Sequence, residues 1–315
     1  MLAPMKKTYF ASGITLLFVA LCLGCAGPAK NLEQEESSGT RRNGELFPFP
    51  IIDAHIHTDF DGAPEKTSQI VHSKEQLIKE FKAANIVGGI SHESRHGEKL
   101  SDLSKQGVIH CAAITDKVNI KKLELGIKQK KYRCIKFYLG YVHRYAYDKK
   151  YEPIYQIAQK YDVPVVFHTG DTYSEKAKLK YAHPLTIDEV AVDHPKVKFV
   201  IAHLGNPWIR TAAEVAYKNP NVYLDGSALL IGDISKLDDA DLKKYIVEPV
   251  SYIFGYIEDP TKILFGTDWP LVDIRAYAEV FKKAIPRKYW VDVFHDNAIR
   301  VFKIPGLSLK GDSKL

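Results

Sequence analysis

The sequence predicts an α/β protein of the (β/α)8, or TIM, barrel class, and three observations predict it. Short apolar runs alternate with amphipathic stretches eight times along the chain. The runs are continuous rather than alternating, as in Val163-Pro164-Val165-Val166-Phe167 and Val197-Lys198-Phe199-Val200-Ile201-Ala202, which is the composition of parallel strands buried on both faces. The 258 residues from Phe47 to Ile304 match the ~250 of such a barrel. A doubly wound open sheet is the alternative, but no glycine-rich phosphate turn follows the first strand. Neither an internal repeat nor a second domain is visible.

The elements follow in order. The first strand is expected at 50–57. A helix starts after Ser73 as N-cap, with Gln76 completing a capping box and Leu77, Ile78, Phe81 and Ala84 as its apolar stripe. Strands are expected at 86–91, 108–114, 134–139, 163–168, 197–203, 222–225 and 263–267. Between them, helices are expected near 120–130, 152–161, 186–192 and 208–217. The apolar stretch 238–256 reads as a long helix kinked at Pro249. Helices at 274–285 and near 289–302 close the domain, leaving 305–315 as a tail.

The first residues read differently. Lys6 and Lys7 precede an apolar run from Tyr9 to Leu23, followed by small residues, which is the pattern of a secretory signal over 1–24. The run is shorter than the ~20 residues of a spanning helix. Residues 25–46 are polar, with almost no large apolar side chain before Leu46, and read as a flexible tether. The 12 histidines aside, net charge is +6, spread along the chain rather than massed, so nucleic acid is not indicated. Of four cysteines, Cys111 and Cys134 fall on neighbouring strands; a disulfide is open to them outside the cytoplasm, but two buried free thiols are the preferred expectation.

The chemistry lies at the strand ends. Ile51-Ile52-Asp53-Ala54-His55-Ile56-His57 is an apolar run ending in two histidines one residue apart, which a strand places on one face. The fourth strand holds Lys136, the fifth ends at His168, the sixth at His203, and the eighth at Asp268 before Trp269-Pro270. In a barrel of this class those ends share one rim, where active sites lie. Taken singly, each polar residue needs only a hydrogen-bond partner. Four histidines, a lysine and an aspartate at one rim are better explained together, by a divalent metal. Tyr138, Tyr141, His143, Arg144, Tyr145, Asp171, Thr172, Asn206, Trp208, Asp225, Ser227 and Trp269 fall in the surrounding loops, without an assigned role.

The ordered set Asp53-Ala-His-Ile-His57, Val166-Phe-His-Thr-Gly170, Phe199-Val-Ile-Ala-His-Leu-Gly205, Leu264-Phe-Gly-Thr-Asp-Trp-Pro270 and Phe294-His-Asp-Asn-Ala-Ile-Arg-Val-Phe302 resembles the amidohydrolase superfamily. The likeness is to its amidohydrolase-related branch of metal-dependent hydrolases and decarboxylases. The resemblance implies that His55, His57, His168 and Asp268 bind one divalent ion, zinc in the first instance. It implies that His203 polarises the substrate or orients the attacking water, and that Asp268 is also the general base. It further raises a second metal bridged by a carboxylated Lys136, with His168 and His203 on that ion; one metal is the preferred reading. The expected activity is hydrolysis of an amide, ester, lactone or similar bond of a small organic substrate. Non-oxidative decarboxylation is the alternative, and an inactive lipid-anchored binding protein the third reading. Leu21-Cys22-Leu23-Gly24-Cys25 resembles a bacterial lipobox, departing from it at Cys22. It implies lipidation at Cys25 and a barrel tethered to a membrane of the cell envelope.

Overall fold

The eight strands pair in chain order, every pair parallel: β1 (Ile51–Ile56), β2 (Ile86–His92), β3 (Val108–Ile114), β4 (Cys134–Tyr138), β5 (Val165–His168), β6 (Phe199–Ile201), β7 (Val222–Asp225) and β8 (Ile263–Leu264). This computed structural model describes residues 46–96 and 100–311. The expected signal, the lipidation site Cys25 and all but the last residue of the expected tether lie outside the described residues. Leu46, that last residue, is already buried. No helix among the described residues is long and apolar enough to cross a membrane.

The ring closes between β8 and β1. Ala54 N donates to Phe265 O, His57 N to Trp269 O and Asp268 N to His55 O, at 2.8–2.9 Å. Asp53 pins the same seam. Its carboxylate accepts from His55 N, Thr267 N and Thr267 Oγ1, the last at 2.6 Å. Full burial pushes this carboxyl up to about 8.

Helices α1 (Lys74–Ala84), α2 (Ile120–Lys128), α3 (Glu152–Tyr161), α4 (Thr186–Asp193) and α5 (Ile209–Lys218) follow β1, β3, β4, β5 and β6 in turn. Then come α6 (Asp239–Leu242), α7 (Glu248–Ile257), α8 (Ile274–Phe281) and α9 (Asn297–Phe302). Ser73 caps α1 as expected, its side chain accepting from Gln76 N. The reciprocal half of the capping box is absent, because Gln76 Nε2 donates to Glu80 Oε1 instead. The expected kink at Pro249 is taken up one step earlier. A widened π turn at Lys243–Val247 joins α6 to α7, and Pro249 sits in the first turn of α7, where its missing N–H costs least.

Two apolar layers result. One lies between the sheet and the helices around Phe137, Tyr155, Phe167, Phe199 and Phe281. The other fills the ring with Ile52, Ile90, Val166, Val200 and Leu264, and is plugged from below by Val301 and Phe302 of α9. The segment after α9 stays packed. Asp296 accepts from Lys310 N and Gly311 N.

The cysteines correct the sequence reading. Cys111 and Cys134 are disulfide-bonded, not free. They are register partners on β3 and β4 with Cα atoms 4.3 Å apart, and both side chains point into the same layer, so no backbone movement is needed to join them.

Candidate metal centre

A cavity of about 400 Å³ opens at the C-terminal ends of the strands, and its floor holds His55, His57, Lys136, His168, His203 and Asp268. All six rim residues singled out in the sequence converge there. His55 lies in β1 within the register shift between Asp53 and Ile56. His57 follows it out of the strand, the two ring centroids being 5.8 Å apart. His203 arrives differently from expected, because β6 stops at Ile201. His203 and Leu204 then adopt left-handed backbone, φ 60° and 49°, and this turn throws the imidazole over the cavity.

Each imidazole has one nitrogen tied to an oxygen behind it. His57 Nδ1 donates to His92 O at 3.0 Å, and His168 Nε2 to Asp171 O at 2.8 Å. His55 Nδ1 meets Asp225 Oδ2 at 2.5 Å. His203 Nδ1 lies 3.0 Å from Ser227 Oγ and 3.4 Å from Ser227 O. A carbonyl or carboxylate oxygen only accepts, so the outer nitrogens of His55, His57 and His168 carry protons, and the inner nitrogens of His55 and His168 then present lone pairs.

His57 Nε2 lies 3.0 Å and His55 Nε2 3.5 Å from the buried Asp268 Oδ1. His168 Nδ1 and His203 Nε2 stand 3.1 Å apart. The ligating atoms of His55, His203 and Asp268 lie within 4.8 Å of one another. Lys136 Nζ supplies one positive charge to this group, 3.1 Å from His55 Nε2, and the remaining nitrogens and the carboxylate are a donor set for a divalent ion.

Protons are a poor substitute for that cation. Burial holds His55 and His168 well below the ordinary histidine range, with the neighbouring imidazoles and Lys136 adding to it. Burial likewise holds His203 at about 4. His57 is the exception, because the hydrogen bond and charge of Asp268 outweigh its burial and raise it. Burial would push Asp268 up, but His57, His203 and Lys136 hold it below the usual carboxylate range. The floor is therefore three neutral imidazoles, a fourth drawn toward Asp268, and one carboxylate. This nitrogen and oxygen set fits a divalent ion of the zinc type.

Lys136 is 1% exposed and stands with Nζ 3.1 Å from His55 Nε2, donating to that lone pair. Burial lowers it to about 8 against the pull of Asp268 and Asp225.

Of the loop residues, Tyr138 and Tyr141 line the cavity, whereas Arg144 turns to Asp116 and Asp148. Two residues escaped the sequence reading. His92 packs its ring 4.0 Å from that of His55. Its signal was present, since an apolar run again ends in histidine, but the strand was expected to stop at Ser91. Arg95 lines the cavity with its guanidinium 4.3 Å over the Tyr141 ring. Nothing in the sequence separates it from other loop cations. Asp225 and Ser227 were placed in the loops without a role, and they stand directly behind His55 and His203.

The amidohydrolase family model matches residues 119–304. Solved structures with the same fold include a probable 2-pyrone-4,6-dicarboxylic acid hydrolase from Acinetobacter baumannii with citric acid bound. It is 12% identical, with 81% of this chain and 100% of that chain covered at a TM-score of 0.56. The 2,6-dihydroxybenzoate decarboxylase from Rhizobium is 14% identical, with 82% and 100% covered at 0.54. An amidohydrolase from Burkholderia multivorans with bound zinc is 13% identical, with 81% and 100% covered at 0.57. No curated protein matches the chain.

Proposed function

The chain belongs to the amidohydrolase family, and on that premise we propose that it is a metal-dependent hydrolase of a small carboxylate-bearing organic substrate. The observation that carries this reading is the convergence of four imidazoles and the Asp268 carboxylate on one cavity floor. His55, His57, His168 and Asp268 would hold one zinc ion, and the close grouping with His55 and Asp268 adds His203 to them. Bound there, such an ion supplies Lewis acidity and makes water a nucleophile near neutral pH. Lys136 Nζ, 3.1 Å from His55 Nε2, competes with such an ion for the one free lone pair of His55, so zinc binding turns Lys136 away from that ring.

The chain's own residues divide the remaining work. Asp268 is kept ionised beside His57, so it accepts the proton of the attacking water and returns it to the leaving group. Arg95 and Lys136 place two cations on one cavity, which suits a substrate carboxylate; the guanidinium is held in place by the Tyr141 face. The Acinetobacter hydrolase is named for a dicarboxylic acid and the Rhizobium enzyme for a benzoate, which supports the same substrate class.

Those two cations also favour a second reading, non-oxidative decarboxylation, in which the carboxylate is the group lost. Zinc-loaded protein is to be incubated in H2(18)O with panels of carboxylated lactones, esters and amides and of aromatic acids. Hydrolysis puts one 18O into the product. Release of CO2 with no label in the organic product overturns hydrolysis and establishes the second reading. Within the hydrolase reading, Arg95→Met should raise KM by about 10- to 100-fold, the loss of one charged hydrogen bond, with kcat little changed.

We also propose, from the lipobox-like sequence, attachment to an envelope membrane through Cys25. Cys25→Ser should move the protein from the membrane to the soluble fraction.

A further inference from the structure

Behind the cavity floor, one turn of chain touches two of its histidines. β7 ends at Asp225, and Gly226 and Ser227 follow. Asp225 Oδ2 meets His55 Nδ1 at 2.5 Å and accepts from Ser227 Oγ at 3.0 Å, while Asp225 Oδ1 accepts from Ser227 N at 2.9 Å. The same Ser227 Oγ lies 3.0 Å from His203 Nδ1. Asp225 and Ser227 are both fully buried.

The turn is fixed from every side. Tyr277 OH donates to Gly226 O at 2.7 Å and accepts from Leu229 N. A side chain on Gly226 would run into the Phe281 ring. On Gly266 of the β8 extension, a Cβ would stand 2.5 Å from Asp225 Oδ1 and 3.1 Å from His55 Cβ. Two glycines and a buried tyrosine thus allow a single placement for this carboxylate.

From these contacts we propose that Asp225 and Ser227 are positioning residues that set the tautomers of His55 and His203 together. Burial raises Asp225 to about 7 against the pull of Lys136 and the Ser227 hydrogen bonds, so above that pH, with Asp225 ionised, the proton order follows from hydrogen-bond chemistry. A serine hydroxyl has one proton, and Ser227 spends it on the Asp225 carboxylate. Toward His203 it can then only accept, as can the Ser227 carbonyl 3.4 Å from the same nitrogen. His203 therefore carries its proton on Nδ1 and presents a bare Nε2 to the cavity. Asp225 imposes the same Nδ1–H form on His55 directly. The strand-6 histidine accordingly acts as a ligand or an acceptor in its neutral state, not as the donor that polarises a substrate carbonyl. One carboxylate orders the lone pairs of two site histidines, one directly and one through a hydroxyl.

The inference rests on the hydrolase reading only for the use to which those lone pairs are put. Its test therefore uses metal-free protein and no substrate. Long-range 1H–15N spectra of histidine-labelled full-length chain, assigned with His55→Gln and His203→Gln, report the tautomer of each ring. With Asp225 ionised, both should be the Nδ1–H form. Ser227→Ala should disturb His203 and leave His55 unchanged, whereas Asp225→Asn should disturb both. An Nε2–H form at His203 in the unmutated protein overturns the inference, whether or not any variant folds. So does a His203 signal that Ser227→Ala leaves in place. Zinc affinity, measured by chelator competition, should fall roughly 10- to 100-fold in Asp225→Ala, the loss typical of removing a ligand's orienting partner. Unchanged affinity would also count against it. The inference would survive a failure of hydrolysis, because none of these readouts involves turnover.

Discussion

Asp268 Oδ1 is buried, with the Nε2 atoms of His57 and His55 at 3.0 and 3.5 Å, and it is held ionised beside them. Such an atom is costly unless a cation meets it. Two substitutions separate its two duties from those of its neighbours. His55→Ala removes a donor and leaves Lys136 without its partner. Metal affinity should fall by more than roughly 100-fold, and activity with it, as read by metal content after dialysis. Asp268→Asn keeps the shape but cannot take a proton. Turnover should fall about 10²- to 10⁴-fold while part of the metal remains, so that metal content and kcat part company. A pH experiment addresses His203. Folded, it is held at about 4 by burial, while an unfolded histidine protonates near 6.5. The unfolded chain thus binds the extra proton between these values. The contribution of this residue to stability is complete above pH 6.5 and is lost as pH falls toward 4. In metal-free protein, His203→Gln should therefore gain on the unmutated chain by roughly 2–3 kcal/mol between pH 7 and 4.5. Urea melts at the two pH values give that double difference, and a constant difference would show that His203 is not held neutral.

The elements show what a sequence discloses and what it conceals. The expected bounds of β3, α3 and β7 agree with the structure to the residue, because continuous apolar runs and a full amphipathic stripe leave little freedom. β6 and β8 are shorter than expected for a shared reason. Their apolar composition continues, but the backbone leaves the ladder to deliver His203 and Asp268, both at positive φ, to the rim. Left-handed backbone at a histidine or an aspartate leaves no trace in composition, so strand ends that carry function were the hardest to place. The six rim residues needed only the rule that strand ends share a face. Finding Asp225 behind His55 needed the three-dimensional register. Gly170 tests how strictly these rim turns are built. Its φ is 83°, and a Cβ there would collide with the Asn206 carbonyl oxygen, whereas Gly306, at φ 76°, has nothing within 4 Å. Gly306→Ala should cost about 1 kcal/mol, from backbone strain alone, and leave metal binding intact. Gly170→Ala should cost more and also weaken metal binding, since the displaced segment carries the Asp171 carbonyl that orients His168. Denaturant melts with chelator competition on both variants decide this. Equal effects would mean that the loop tolerates displacement.

At the scale of the whole molecule, the barrel is held by a seam and a staple on different parts of the ring. Asp53 and the β8 extension form the seam, joining the two ends of the domain. The Cys111–Cys134 bond staples β3 to β4 inside the ring, one inward position below Lys136. It encloses the segment bearing α2, with a sequence separation of 23, so it removes freedom from the unfolded chain that the seam leaves untouched. For a loop of this length the stabilisation is about 3 kcal/mol. Guanidinium unfolding with and without reductant should differ by that amount. The double variant Cys111→Ala/Cys134→Ala should match the reduced protein, because alanine avoids burying new polar groups in an apolar layer. Cys134 and Lys136 share a strand face, so the same reduction should also loosen the cavity floor around Lys136. Zinc affinity should then drop in step with stability rather than remain constant. Alkylation of both cysteines in unreduced, denatured protein would remove the staple from this account, and the floor of the cavity would then rest on the seam alone.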